Sequence, residues 1–173
     1  MLFADIRGFT SWSETHSPGE AAETLTRFYA IATQALTSDY SMVELVGDQV
    51  MALYLTFPGR DEHNIPSTML AAARRLVGAI RDDNDALPVG VGLNFGSCEV
   101  GNKAKAGSKD FTAVGDVVNT AARLQASAQE YEIVLSEVVY AVVADQVPEA
   151  KQTLFDVKGK AEHVKAFVIP ADV

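Results

Sequence analysis

Strand-like and helix-like patterns alternate along this sequence, two β-rich runs meet at a short turn, and no linker or internal repeat divides the chain. These three observations predict an α/β (α+β) fold, a ferredoxin-like βαββαβ core with a carboxy-terminal α/β extension. The turn-linked pair excludes a purely parallel sheet, because parallel neighbours need a longer crossover. A single domain over 1–173 is expected, since that length buries a sizeable core without splitting.

The first strand is Leu2-Phe3-Ala4-Asp5-Ile6. Ser17-Pro18-Gly19-Glu20 then reads as a capping box with proline at the first helical position. Ala21, Leu25, Phe28, Ala32 and Leu36 follow at helical spacing and predict a helix over about 18–38. Met42–Val46 and Val50–Leu55, separated by Gly47-Asp48-Gln49, predict a hairpin. Met69, Leu70, Ala73, Leu76, Val77 and Ile80 place a second helix from His63 to about Arg81. Beyond Pro88, Val89–Phe95 reads as a strand interrupted by glycines, and Ser97–Val100 as a continuation of the sheet. A loop over 101–109 precedes a strand at Phe111–Val114, a helix at Val117–Gln129, a strand at Ile133–Leu135 and a helix at Ser136–Ala144. Strands near Thr153–Val157 and Lys165–Ile169 close the chain.

Composition narrows the possible partners. The net charge of −9 repels phosphate backbones and anionic lipids, which argues against nucleic acid and against membrane contact from this segment. No apolar run approaches the roughly 20 residues of a membrane span, and the amino terminus lacks the basic region of a signal peptide. Cys98 stands alone, so no intrachain disulfide forms, and a cytoplasmic location is the natural expectation. The abrupt start inside a strand suggests a fragment of something longer.

Two carboxylates invite chemistry. Asp5 ends the first strand and Asp48 occupies the hairpin turn; in a βαββ unit those two elements are sheet neighbours, so both groups reach one edge. Hard divalent cations in phosphate chemistry take one or two carboxylates plus substrate oxygens. Taken alone, Asp48 reads better as a plain turn residue, because Gly-Asp is ordinary turn chemistry.

The flanking residues carry more. Phe3-Ala4-Asp5-Ile6-Arg7-Gly8-Phe9-Thr10 resembles the F-x-D-I-x-G-F-T opening of class III adenylate and guanylate cyclases. Val46-Gly47-Asp48-Gln49-Val50-Met51-Ala52 resembles their I-G-D-x-x-M-A hairpin, and Phe111 to Leu124 their Y-T-x-I-G-D-x-V-N-x-A-A-R-L segment. Val157-Lys158-Gly159-Lys160 resembles the late L-K-G turn. These matches fall in order over almost the whole chain.

The resemblance implies a reaction and its parts: a nucleoside triphosphate closed to its 3′,5′-cyclic monophosphate with loss of pyrophosphate. Two divalent metal ions, Mg²⁺ or Mn²⁺, would bind Asp5, Asp48 and the backbone carbonyl of Ile6. Asn119 and Arg123 match the pair that orients the ribose and stabilises the transition state; four residues apart, they share a helix face. Arg123 otherwise reads as a surface ion-pair residue. Lys158 and Lys160 would bind the triphosphate, and Gly8 and Phe9 would wall it. The family's site forms across a homodimer, one chain supplying the aspartates and the other Thr112, Asn119, Arg123 and Lys158. His16, His63 and His163 match no family position and read as surface or packing residues.

Base recognition departs from a single pattern. Adenylyl cyclases carry lysine four residues before Asp48, where this chain has Glu44; an ionised carboxylate only accepts hydrogen bonds and so suits the N–H donors of guanine. Thr112, the second base-reading position, matches the bacterial adenylyl type. Preference for GTP, acceptance of both bases, and an adenylyl enzyme whose lysine was replaced, naturally or by design, all stay open, as does Glu44 as a solvated strand residue. The stretch Lys103–Lys109 lacks the arginine that many relatives place against the terminal phosphates; Lys105 and Lys109 are the cations available there.

Two rival readings accompany the enzyme. A catalytically weak homology domain would serve as a nucleotide-binding or dimerisation module with the same fold, but it has no need of all of Asp5, Asp48, Asn119 and Arg123. A diguanylate cyclase or polymerase palm would need a G-G-[DE]-E-F-like turn, which this hairpin lacks.

Overall fold

A computed structural model describes residues 1–38, 41–56, 64–102, 111–155 and 164–171. The front half runs β1 (Leu2–Ile6), α1 (Phe9–Ser13), α2 (Pro18–Leu36), β2 (Ser41–Val46), β3 (Gln49–Tyr54), α3 (Asn64–Asp82) and β4 (Val89–Leu93). Next come β5 (Glu99–Asn102), β6 (Phe111–Val114), α4 (Asp116–Ser127), β7 (Ile133–Ser136), α5 (Glu137–Val143), β8 (Lys151–Phe155) and β9 (Val164–Ile169).

Seven of these strands form one sheet in the order β2-β3-β1-β4-β7-β9-β8. Strand β1 lies antiparallel to both β3 and β4, so the first four main strands make the expected ferredoxin-like core. The extension joins the same sheet: β7 adds parallel to β4, β9 pairs antiparallel with β7, and β8 with β9.

Local chemistry explains the helix starts. The Ser17 hydroxyl accepts from the Glu20 amide at 3.3 Å while the Glu20 carboxylate accepts from the Ser17 amide at 2.8 Å, completing the capping box that begins α2. The short helix α1, absent from the sequence reading, follows Gly8, whose φ of +72° turns the chain sharply out of β1. Alternation divides the sheet into two faces. Leu2, Ala4, Ile6, Val50, Ala52, Val89, Val91 and Leu93 point into the main core, which helices α2 and α3 cover. Phe3, Met51 and Leu53 point the other way, toward α4.

One expectation needs correction. Residues 97–100 do not continue the main sheet; Glu99–Asn102 pairs instead with Phe111–Val114 in a separate two-stranded ribbon. The reason is geometric. Strand β4 is already flanked by β1 on one side and β7 on the other, so no free edge receives the chain after Leu93.

Helix α4 lies against β4 at very close range. A Cβ added to Gly92 would sit 2.2 Å from the Gln125 amide nitrogen and 2.5 Å from the Ala121 carbonyl oxygen. The glycines that interrupt this strand in the sequence are therefore the seat of a helix. Because the clash is with backbone, Gly92→Ala must push α4 off the sheet. It should destabilise the fold by about 2 kcal/mol or more, read by urea denaturation.

Candidate active site

The face of the sheet on which α4 lies carries two of the residues the sequence singled out, Asp5 and Glu44. Directly paired antiparallel residues share a face, as do residues two apart on one strand. Asp5 pairs with Gln49, which pairs with Val46, and Asp5 also pairs with Gly90. One step along, Phe3 pairs with Met51, which pairs with Glu44. Asp5 and Glu44 therefore face the same side, and Glu44 is exposed there on the edge strand β2.

The turn that carries Asp48 is held from two directions. The Ile6 amide donates to the Asp48 carbonyl at 3.0 Å, fastening the turn to β1 one residue beyond Asp5. From α2 the Tyr29 hydroxyl donates to the Gly47 carbonyl at 2.5 Å. Gly47 itself sits at φ +60°, a conformation that disfavours any side chain. Next to the turn, Gln49 Nε2 donates to Gln125 Oε1 of α4 at 3.1 Å, tying the hairpin to the helix above it.

Burial pushes the Asp5 carboxyl above its ordinary value, and the nearby Asp48 carboxylate adds to the rise. Arg7 opposes them, with Nη2 donating to Asp5 Oδ1. Two carboxylates close enough to repel, one of them already drawing a cation, form a site suited to positive charge. Both are hard oxygen donors, as is the neighbouring Ile6 carbonyl, and that set fits Mg²⁺ or Mn²⁺ with substrate oxygens completing the shell.

Asn119 and Arg123 do not converge on Asp5 within one chain. Helix α4 buries Val117, Ala121, Leu124 and Gln125 against the sheet, which leaves Asn119 exposed and Arg123 half-buried on the opposite side. Gly8 is exposed at the start of α1, while Phe9 packs on the border of the main core. His16 is exposed, stacked on Trp12 with ring centroids 3.8 Å apart. Lys158, Lys160, Lys103, Lys105, Lys109, His63, His163 and the Thr112 side chain lie outside the described residues.

Three residues here escaped the sequence reading: Arg7, Gln49 and Gln125. Gln125 left a trace, being a polar residue within the buried stripe of α4 at four residues from Ala121. It is 3% exposed, and its Nε2 has no partner among the described residues.

The adenylate and guanylate cyclase catalytic domain family matches residues 1–171, and the chain belongs to that family. Among its relatives, an adenylate cyclase of Anabaena cylindrica is 28% identical over 99% of the chain. Guanylate cyclase 32E of Drosophila melanogaster is 28% identical over 94% of it. The chain spans 36% and 14% of the lengths of those two relatives. The fold is shared with the guanylyl cyclase Cya2, at a TM-score of 0.86 and 23% identity, covering 97% of this chain and 89% of that one. It is shared also with the guanylate cyclase domain of RhGC from Catenaria anguillulae in complex with GTP, at 0.82 and 21%, covering 98% and 94%. Among the described residues no helix is long and apolar enough to cross a membrane.

The fold holds the Asp5 proton more tightly than the unfolded chain does, so stability falls as pH rises from the ordinary 3.8 through the raised value. Asp5→Asn should therefore have the higher Tm at pH 7 without metal. That advantage should shrink as pH falls and vanish below about 3.8, as read by thermal melts across pH.

Proposed function

We propose that this chain is a nucleotidyl cyclase domain that converts a nucleoside triphosphate to its 3′,5′-cyclic monophosphate, working as a homodimer. The observation that carries the proposal is the meeting of Asp5 and Asp48 at one strand-turn junction, with Glu44 on the same face of the sheet.

In this reaction the ribose 3′-oxygen attacks the α-phosphorus in line. The bond from that phosphorus to the bridging oxygen breaks, pyrophosphate leaves, and the hydroxyl proton passes to solvent. Two divalent cations held by Asp5, Asp48 and the Ile6 carbonyl would neutralise the triphosphate and lower the proton affinity of the attacking hydroxyl. Asn119 orients the ribose, and the planar fork of Arg123 meets the charge that builds on the phosphoryl oxygens. Lys158 and Lys160 bind the outgoing phosphates, with Gly8 and Phe9 as the wall. Glu44 accepts from the N–H edge of guanine, so GTP is a substrate, while Thr112 retains a contact suited to adenine.

The direction of α4 supports a two-chain site. Asn119 and Arg123 face away from the sheet of their own chain, so a site that uses them with Asp5 takes them from a second copy. The surface beside Glu44 supports the same reading. Met42 and Val46, two residues to either side of it, are 37% and 57% exposed on that face, an apolar fringe fit for a partner.

Complementation tests this arrangement. Asp48→Ala and Arg123→Ala should each abolish turnover alone. Mixed in equal amounts and allowed to exchange, half the dimers would be heterodimers with one intact site of two. About a quarter of wild-type activity should then return. Mixtures as inactive as their components would contradict the shared site.

A further inference from the structure

Arg7 sits in a slot built for it. Its backbone amide donates to the Pro88 carbonyl at 2.7 Å, fixing the chain where β1 ends. From there the guanidinium turns back under α4 and spends its donors on three acceptors. Nη2 donates to Asp5 Oδ1, Nε to the Asp5 backbone carbonyl at 3.3 Å, and Nη1 to the Ala128 carbonyl at 3.3 Å. Gly90 provides the room: a Cβ there would lie 3.1 Å from Arg7 Nε and 3.2 Å from the Ala128 oxygen. The Arg7 side chain is only 18% exposed. Ala128 caps the carboxy-terminal end of α4, where helix carbonyls carry partial negative charge and favour a cation.

Two of these anchors are backbone carbonyls that do not depend on the Asp5 carboxylate. The guanidinium can therefore release that carboxylate and stay in its slot. We propose that Arg7 is a tethered counter-ion for Asp5: it holds the carboxylate when no metal is bound, yields it to an arriving divalent cation, and so sets the metal affinity of the site. The inference rests on the reading of Asp5 as a metal ligand. It assigns to Arg7 a part in metal loading rather than in the chemical step.

A cation that must be displaced, and that remains nearby with its charge, weakens binding of the next one. Removing it should strengthen metal binding. The test is Mn²⁺ binding to the nucleotide-free full chain, with free Mn²⁺ counted by electron paramagnetic resonance. The proteins compared are wild type, Arg7→Met, Asp5→Asn and the double variant Asp5→Asn/Arg7→Met. Arg7→Met keeps the bulk of the slot without its charge and should bind Mn²⁺ roughly tenfold more tightly than wild type. The gain should disappear in the double variant. Should Arg7→Met fail to fold, Arg7→Gln, which keeps a donor for the Ala128 carbonyl, serves in its place with the same expectation.

Unchanged, weaker or undetectable Mn²⁺ binding in the folded Arg7 variant overturns the proposal. If Asp5→Asn nevertheless weakens Mn²⁺ binding in that case, the metal reading of Asp5 survives and only the role of Arg7 fails. A gain that persists in full without the Asp5 carboxylate overturns both.

Discussion

The seating of α4 on β4 is the constraint on which the rest of this molecule depends. Gly92 lets the helix backbone approach to a distance that any side chain would forbid, and Gly90 opens the neighbouring space for Arg7. Both glycines lie on the Asp5 face of the sheet, since Gly90 pairs with Asp5 and Gly92 with Phe3. With the helix drawn down, one of its faces is committed to burial, and Asn119 and Arg123 are turned outward. A single packing contact therefore lays the helix over the Asp5 face and turns its polar residues away from the sheet.

The polar contacts beneath α4 work against the preference of a buried interface for apolar groups. Asp5 is half-buried beside a second carboxylate, and its charged form is held at a cost that Arg7 only partly offsets. Gln125 is buried with its Oε1 accepting from Gln49 Nε2 and its own Nε2 without a partner among the described residues. An apolar cluster would stabilise this region better. That such groups persist beside the paired aspartates fits a region arranged for cation and phosphate chemistry at some expense in stability.

Much of the fold was legible because its signals are local. The capping box at Ser17, the stripes of α2 and α3, and the Gly47-Asp48 turn each follow from neighbouring residues, and the structure places all of them within a few residues of expectation. The destination of residues 97–100 was not legible, since it depends on β4 having both edges occupied, a property of the assembled sheet. Helix α1 escaped because it is five residues long and starts from a glycine turn rather than a side-chain cap. At the site, Asp5, Asp48 and Glu44 were singled out by motif position, and the shared face of Asp5 and Glu44 follows from strand pairing. The slot of Arg7 and the pair Gln49 and Gln125 were not, because the Ala128 anchor of Arg7 lies 121 residues away and the two glutamines 76 apart. The glycines of β4 were visible as an interruption, but their purpose appears only with α4 lying over them.

The most direct measurement is product formation from ATP and from GTP in parallel, with Mn²⁺ and with Mg²⁺, at a concentration where the chain is shown to be dimeric. A 3′,5′-cyclic monophosphate and pyrophosphate should form in equal amounts, with GTP used at least as well as ATP if Glu44, on the Asp5 face, reads the base. No cyclic product from either nucleotide under those conditions would contradict the cyclase reading and leave the domain a binding module with the fold of an enzyme.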